Sequence, residues 1–493
     1  MASVVATLRN PEGSAICVPG RRGLSRRAFV QMGAGALAAC VAPSRAAASA
    51  IREIPTADEL AAAPLVERCG LGKLARIERL GRSRGGREID LISIGAGPRS
   101  ALIVGAPHPN EPIGCLTVTR MLARLAVDRR LRDASGYRWN FIPAMDIDGI
   151  ALNQGWFRRP LTLESYLRDF YRPSFDAQAE YCFPLDLDGY RFDTPSPENR
   201  CWQRALEISR PTLQCSLHGA DSGGSFYVIS RDDRRLADLL AAQPAAFGID
   251  LNPIGEPFAE MAPYRQGVTS FPAISPMIEQ AVRSGEDPKD VWNAGDSSAG
   301  YAARRYGTFS MTCEVPLWDD ARLRDPRPSP YTLADVLDQE IAQSREDAHL
   351  LEGALPALRG RSSGFEADAL LAALEAALTE ARAQPAELEK LKAAQHVRAK
   401  VSYRDLVEYE PGTAALRTPA MLVRLARIEN ASAVAADAGN VLSRRLAVQF
   451  RAGPLVPIAL ERSTSLQMSS ILAAAAYLRD PTAKASNESA SSG

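Results

Sequence analysis

Two histidines and two glutamates stand where strand ends would present them. They are His108 and Glu111 in Ala106-Pro-His-Pro-Asn-Glu-Pro112, His218 in Ser216-Leu-His-Gly219, and Glu314 in Thr312-Cys-Glu-Val-Pro316. Two His and one carboxylate make a three-ligand set that leaves a fourth zinc position open for water, the arrangement of a catalytic site. A further carboxylate beside such a set can serve as general base on that water. The chain has only four His in 493 residues: His108, His218, His349 and His396. Two of them at strand ends is therefore informative.

The hydrophobic pattern supplies the elements that must hold these side chains. Residues 100–106 form an apolar run ending at Pro107, as a buried strand does. His108 and Glu111 follow across a tight loop. Residues 113–127 then repeat apolar side chains at helical spacing, Leu116, Met121, Leu122 and Leu125 among them. Residues 139–145, 212–217, 223–229 and 309–313 read as further strands, and 234–242 as a helix. His218 and Glu314 end two of these strands, where open α/β sheets collect their active sites. A carboxylate such as Glu314 closing an apolar strand is costly unless paired or functional. The alternation predicts an α/β fold, a mixed sheet with helices on its faces.

The same reading divides the chain into a leader (1–48), a linker (49–75), a catalytic domain (76–355), a mostly helical accessory region (360–480) and a disordered tail (481–493). Residues 155–200, rich in Pro, Asp, Tyr and Arg, lack periodicity; a loop of that length in a compact domain is usually functional or disordered. Hydrophobic content is 46% and charged content 24%, ordinary for a globular protein, and formal net charge is zero. That balance offers nucleic acid no electrostatic footprint.

The leader contains Arg26-Arg27 before a short apolar run, resembling a twin-arginine export signal. The run is too short to span a bilayer. Residues 1–48 hold six of the 58 Lys/Arg and one of the 58 Asp/Glu, so cleavage after Ala48 leaves 52 basic against 57 acidic residues. The expectation is a periplasmic or secreted protein. Leu37-Ala-Ala-Cys40 resembles a lipobox, which would instead anchor the chain to a membrane through a lipidated Cys40; the intact mass of the exported chain separates the two. The remaining cysteines show no metal or redox spacing. Cys182 and Cys201 are the pair most worth testing for a disulfide.

In order along the chain, these segments resemble the zinc carboxypeptidase (metallocarboxypeptidase A-like) family over about residues 73–350, as a divergent bacterial member. Residues 77–89 resemble the family's opening segment, Met145-Asp-Ile-Asp148-Gly149 stands where the family has Asn-Pro-Asp-Gly, and Pro195-Ser-Pro-Glu198 precedes a helix. The resemblance implies a mixed eight-stranded sheet between helices. It also implies one zinc per chain on His108, Glu111 and His218, with Glu314 as general base. An arginine for the oxyanion is implied after Asp148-Gly149, with Arg158 and Arg159 as candidates and Asn153 nearby as a substrate contact. A mobile tyrosine would be Tyr301 or Tyr306. One departure stands out: Asp188-Gly189 occupies the place of the family's carboxylate-binding Asn-Arg pair, leaving Arg191 from a shifted position or Asn199-Arg200 at a helix start. The expected function is an exported zinc-dependent hydrolase of amide bonds in small or cell-wall peptides. A deacylase acting on N-acyl amino acids, a murein-peptide amidase and an inactive binding protein of the same fold are the alternatives.

Overall fold

The computed structural model describes residues 53–158, 160–252, 261–361, 363–393, 398–449 and 455–479. The leader with Cys40, Arg159, His396 and the tail lie outside them. Among the described residues no helix is long and apolar enough to cross a membrane.

The amino-terminal half contains β1 (Ala75–Arg82), β2 (Glu88–Ile94), β3 (Arg99–Gly105), α1 (Ile113–Val127), β4 (Tyr137–Ile142), α2 (Ile147–Asn153), β5 (Leu185–Leu187), β6 (Tyr190–Phe192) and α3 (Pro197–Ser209). Then come β7 (Leu213–Ala220), β8 (Phe226–Ile229), α4 (Arg234–Ala241), β9 (Pro263–Arg265), β10 (Val268–Ser270) and β11 (Phe309–Pro316). Five long helices follow: α5 (Leu333–Leu358), α6 (Phe365–Lys392), α7 (Ala414–Ile428), α8 (Ser432–Gln449) and α9 (Leu460–Arg479).

Nine strands form one mixed sheet in the order β1-β2-β4-β3-β7-β11-β8-β10-β9. The four central strands β4, β3, β7 and β11 are mutually parallel, and their near-continuous burial matches the apolar runs in the sequence. The resemblance implied eight strands. The nine include β9 and β10 at one edge, three residues each, too short to show a period. Along β7 the side chains alternate between faces. Gln214 accepts a hydrogen bond from Trp202 of α3, whereas Leu217 crowds Gly114 of α1 so closely that a Cβ there would meet it at 2.9 Å. Helices therefore cover both faces.

The helical stretch after residue 360 is joined to this sheet. On α9, Gln467 Nε2 donates to the carbonyls of His218 (2.8 Å) and Cys313 (3.1 Å), and its Oε1 accepts from Thr117 of α1 at 2.6 Å. Tyr137 of β4 donates to the Ala475 carbonyl, and Tyr227 of β8 shares a hydrogen bond with Ser470. Residues 318–319 also pair with 456–457, and strand 328–332 with 400–402. The small buried residues Ser463, Ser469, Ser470, Ala473 and Ala474 let α9 lie close to its neighbours.

Candidate metal centre

Three central strands deliver the four opening residues. β3 ends at Gly105, and Ala106 takes φ 40°, a left-handed conformation that a non-glycine residue adopts only under constraint. Its carbonyl accepts from Asp146 N–H while Gly105 O accepts from Met145 N–H, which fixes the turn into the His108 loop. At Gly105 a Cβ would stand 2.4 Å from the Pro143 carbonyl, so only glycine permits that approach. His218 and Glu314 are register partners on the parallel strands β7 and β11. The Glu314 carbonyl accepts from Ser225 Oγ at 2.6 Å.

The four side chains converge. His108 Nδ1 lies 3.0 and 3.1 Å from the two Glu111 oxygens. His218 Nδ1 lies 3.2 Å from Glu111 Oε2 and 3.4 Å from Glu314 Oε1. The donors of Glu111, His218 and Glu314 fall within 4.8 Å of one another, as do those of His108, Glu180 and His218. Tetrahedral zinc with bonds of about 2.0–2.1 Å sets its donors roughly 3.3 Å apart, close to the Nδ1–carboxylate separations here.

Arg172 completes this face. Its Nη1 donates to Glu111 Oε1 (2.6 Å) and Asn110 Oδ1 (3.2 Å), and its Nη2 lies 3.1 Å from His108 Nδ1. A guanidinium has only donors, so His108 Nδ1 is the acceptor and the ring carries its proton on Nε2. That tautomer offers the Nδ1 lone pair toward Glu111. Arg172 is the cation beside these two acceptors and is bonded to both. Two three-donor groups are available to a metal, Glu111, His218 and Glu314 on the Nδ1 side and His108, Glu180 and His218 on the Nε2 side, and imidazole with carboxylate is a donor set that zinc takes; the expected set of His108, Glu111 and His218 shares members with both.

The opposite ring edges face another carboxylate. Glu180 Oε2 is 2.9 Å from His218 Nε2 and 3.8 Å from His108 Nε2. The closer contact is an ion pair without hydrogen-bond alignment; Ser216 Oγ, at 3.0 Å, makes the aligned bond to His218 Nε2. Carboxylates on the far nitrogen of a ligating His fix its tautomer and orientation; Glu180 stands on that side of both rings, closer to His218 than to His108. Burial, then Arg172, pushes the His108 pKa down to about 4. Burial also opposes charge on His218, but Glu180 and Glu314 outweigh it and raise its pKa well above the usual value. Burial would raise the Glu180 pKa as well; His218 overrides it and brings the carboxyl to about 2.

The other sequence candidates fall elsewhere. Arg158 is half-exposed and pairs with Glu59 at 2.6 Å, so the guanidinium at the ligands belongs to Arg172. Asn153 is buried and spends its amide on the Gly149 and Tyr171 carbonyls and its oxygen on Trp156 and Tyr171 N–H, which braces the segment before Arg172. Arg191 is exposed beside Asp193 at 3.1 Å, on a surface hairpin turned by Gly189 at φ 77°. Tyr301 packs on Phe183, and Tyr306 lies against the same core. Asn199 donates to the Ala179 carbonyl and accepts from Gln203, while Arg200 is exposed. Cys182 and Cys201 are both free thiols, buried in separate settings: Cys182 bonds to the Asp176 and Gln178 carbonyls, while Cys201 presses on Gly81. Arg172 and Glu180 were missed in the sequence; both lie in the aperiodic stretch 155–200, whose length was the only signal.

Behind the His108 loop, the turn 83–87 is tied down by carboxylates. Glu198 accepts from Arg84 N–H at 2.7 Å and Asp148 from Gly85 N–H at 2.6 Å. Asp146 caps α2 by accepting from Gly149 N–H at 2.8 Å. Burial, with Glu198 and Asp148 adding to it against Arg84 and the Gly149 bond, raises the Asp146 pKa to about 7. A carboxyl whose folded pKa exceeds its unfolded value stabilises the fold fully below the unfolded pKa, and that stability is lost as pH rises through about 7. Asn caps as well as Asp but does not titrate. Asp146→Asn is therefore expected to leave Tm unchanged near pH 4 and to raise it by about 2–4 °C at pH 8. Thermal melts across that range check this, and an equal shift at both ends would contradict the assignment.

Residues 71–206 match the zinc carboxypeptidase family. The matched segment runs from before β1 into α3 and carries His108, Glu111, Arg172 and Glu180. No curated protein sequence matches the chain. Among solved structures it is similar to a metallo-carboxypeptidase from Burkholderia cenocepacia, at 18% identity over 52% of this chain and 58% of that one, TM-score 0.32. It is similar to the carboxypeptidase A from Helicoverpa armigera at 13% identity over 60% and 73% of the two chains, TM-score 0.35. A Pseudomonas aeruginosa metallo-carboxypeptidase, solved in complex with (2-guanidinoethylmercapto)succinic acid, shares 18% identity over 52% and 58%, TM-score 0.28. The chain thus spans less than two thirds of the length of the Burkholderia protein.

Proposed function

We propose that the protein is a zinc-dependent hydrolase of amide bonds, acting in carboxypeptidase fashion on small or cell-wall peptides after export by the twin-arginine route. One observation carries the reading: Glu314 Oε1 and Glu111 Oε2 flank the same His218 nitrogen, at 3.4 and 3.2 Å, which supports a carboxylate base next to a metal ligand. Zinc, when bound, acidifies a water and polarises a carbonyl. Glu314 then accepts the water proton and returns it to the leaving amine. Arg172, the guanidinium nearest the ligands, donates to the carbonyl oxygen as negative charge grows on it.

Metal analysis of the purified protein, together with a peptide panel carrying free and amidated C-termini, tests the reading. About one zinc per chain and release of the terminal residue from free acids alone are expected. No bound zinc after zinc addition, with no cleavage of any peptide, leaves a binding protein. Cleavage regardless of the terminus supports the second reading, an amidase or deacylase of the same fold. That reading is favoured by the surface position of Arg191, which pairs with Asp193.

A further inference from the structure

Among the described residues a second guanidinium is bonded to the segment that follows His218, and it comes from the helical stretch. Arg417, on the first turns of α7, donates through Nη2 to Asp221 at 2.9 Å. Asp221 lies three residues beyond His218 and is itself held by Tyr166 (2.8 Å) and Thr413. Burial opposes the charge of Arg417, but Asp221 and Tyr166 outweigh it, with a smaller contribution from Glu111. Its guanidinium lies over the Phe170 ring at 5.2 Å. Among the described residues the fork is hydrogen-bonded only to Asp221; Nε is buried without a partner, and the side chain remains a quarter exposed. The segment carrying Phe170 and Arg172 is drawn to the same helix, because Arg424 donates to the carbonyls of Leu152, Asp169 and Phe170.

This is a built position for an anion. Asp221 orients the fork and the aromatic face backs it, yet most of its donors are unused. A guanidinium fork matches a carboxylate in two parallel hydrogen bonds. Arg172 has its own fork turned to the ligands. We infer that Arg417 is a specificity-determining residue: it binds a carboxylate of the substrate beside the metal centre, so that α7 supplies part of the substrate pocket. This rests on the hydrolase reading above for its setting, but not on turnover for its test.

The test uses binding to the full chain carrying Glu314→Gln and loaded with zinc, which removes the proposed base and no ligand. An N-acyl dipeptide with a free C-terminal carboxylate and the same dipeptide amidated are titrated by calorimetry. The free acid should bind at least about tenfold tighter, in line with a charge-assisted bidentate bond. Adding Arg417→Gln should bring the ratio to about one, and Arg417→Lys, which keeps the charge but not the fork, should give an intermediate ratio at unchanged zinc content. A ratio of about one in the parent protein, no binding of the acid at millimolar concentration, or a preference that survives Arg417→Gln would each overturn the assignment. Failure of the hydrolase reading shows separately, as absence of turnover by the unsubstituted chain.

Discussion

Glu314→Gln is expected to keep about one zinc per chain while kcat falls by roughly 10³-fold, within the 10²–10⁴ that a positioned general base contributes. The substitution exchanges one carboxylate oxygen for an amide of nearly the same shape. The backbone around it is fixed by the register with His218 and by Ser225 on the Glu314 carbonyl, so the amide should occupy the same place. What is lost is the capacity to accept a proton. Metal analysis with steady-state kinetics on the same preparation decides the matter. Retained activity would remove Glu314 from the role of base, and loss of zinc would make it a ligand.

The second large effect separates the two carboxylates that touch the histidines. Glu111 stands on the Nδ1 side with Glu314 and Arg172, and Glu180 on the Nε2 side. If zinc sits on the Nδ1 face, Glu111→Gln removes a charged ligand and should abolish stoichiometric binding. Glu180→Gln removes only the group that orients both rings, and such losses weaken metal affinity by about 10–100-fold. Competition against a chromophoric chelator measures both. The reverse ranking, with Glu180 essential and Glu111 dispensable, would move the metal to the other edge of the rings and make Glu180 the third ligand.

What the sequence revealed follows from where its order is regular. β3, α1, β7 and β11 were readable because apolar runs and helical spacing record burial directly. His108, Glu111, His218 and Glu314 could be picked out because each sits at a fixed offset from the end of such a run. Arg172 and Glu180 obey no such offset: they reach the centre from an irregular loop whose path is set by Asn153, Cys182 and short turns. Arg158 resembled the better choice in the linear order, but Glu59, packed nearby only in the folded chain, holds it at the surface. Arg417 and Gln467 were invisible for another reason. Both arise from Ala/Leu-rich helices whose composition signals packing alone, and their partners lie 154 to 350 residues away.

The clamp made by Gln467 has a kinetic consequence. The backbone carbonyls of His218 and Cys313 are bonded by a side chain 249 and 154 residues downstream, and Thr117 closes the same link over 350. Contacts this distant in sequence must wait for the chain between them to collapse, and they slow folding. Strand pairing sets His218 in register with Glu314, and docking of α9 adds the last braces on the carbonyls of His218 and Cys313. Metal capture should therefore be a late event in folding, and a partly synthesised chain would carry its ligands without a finished centre to put them in.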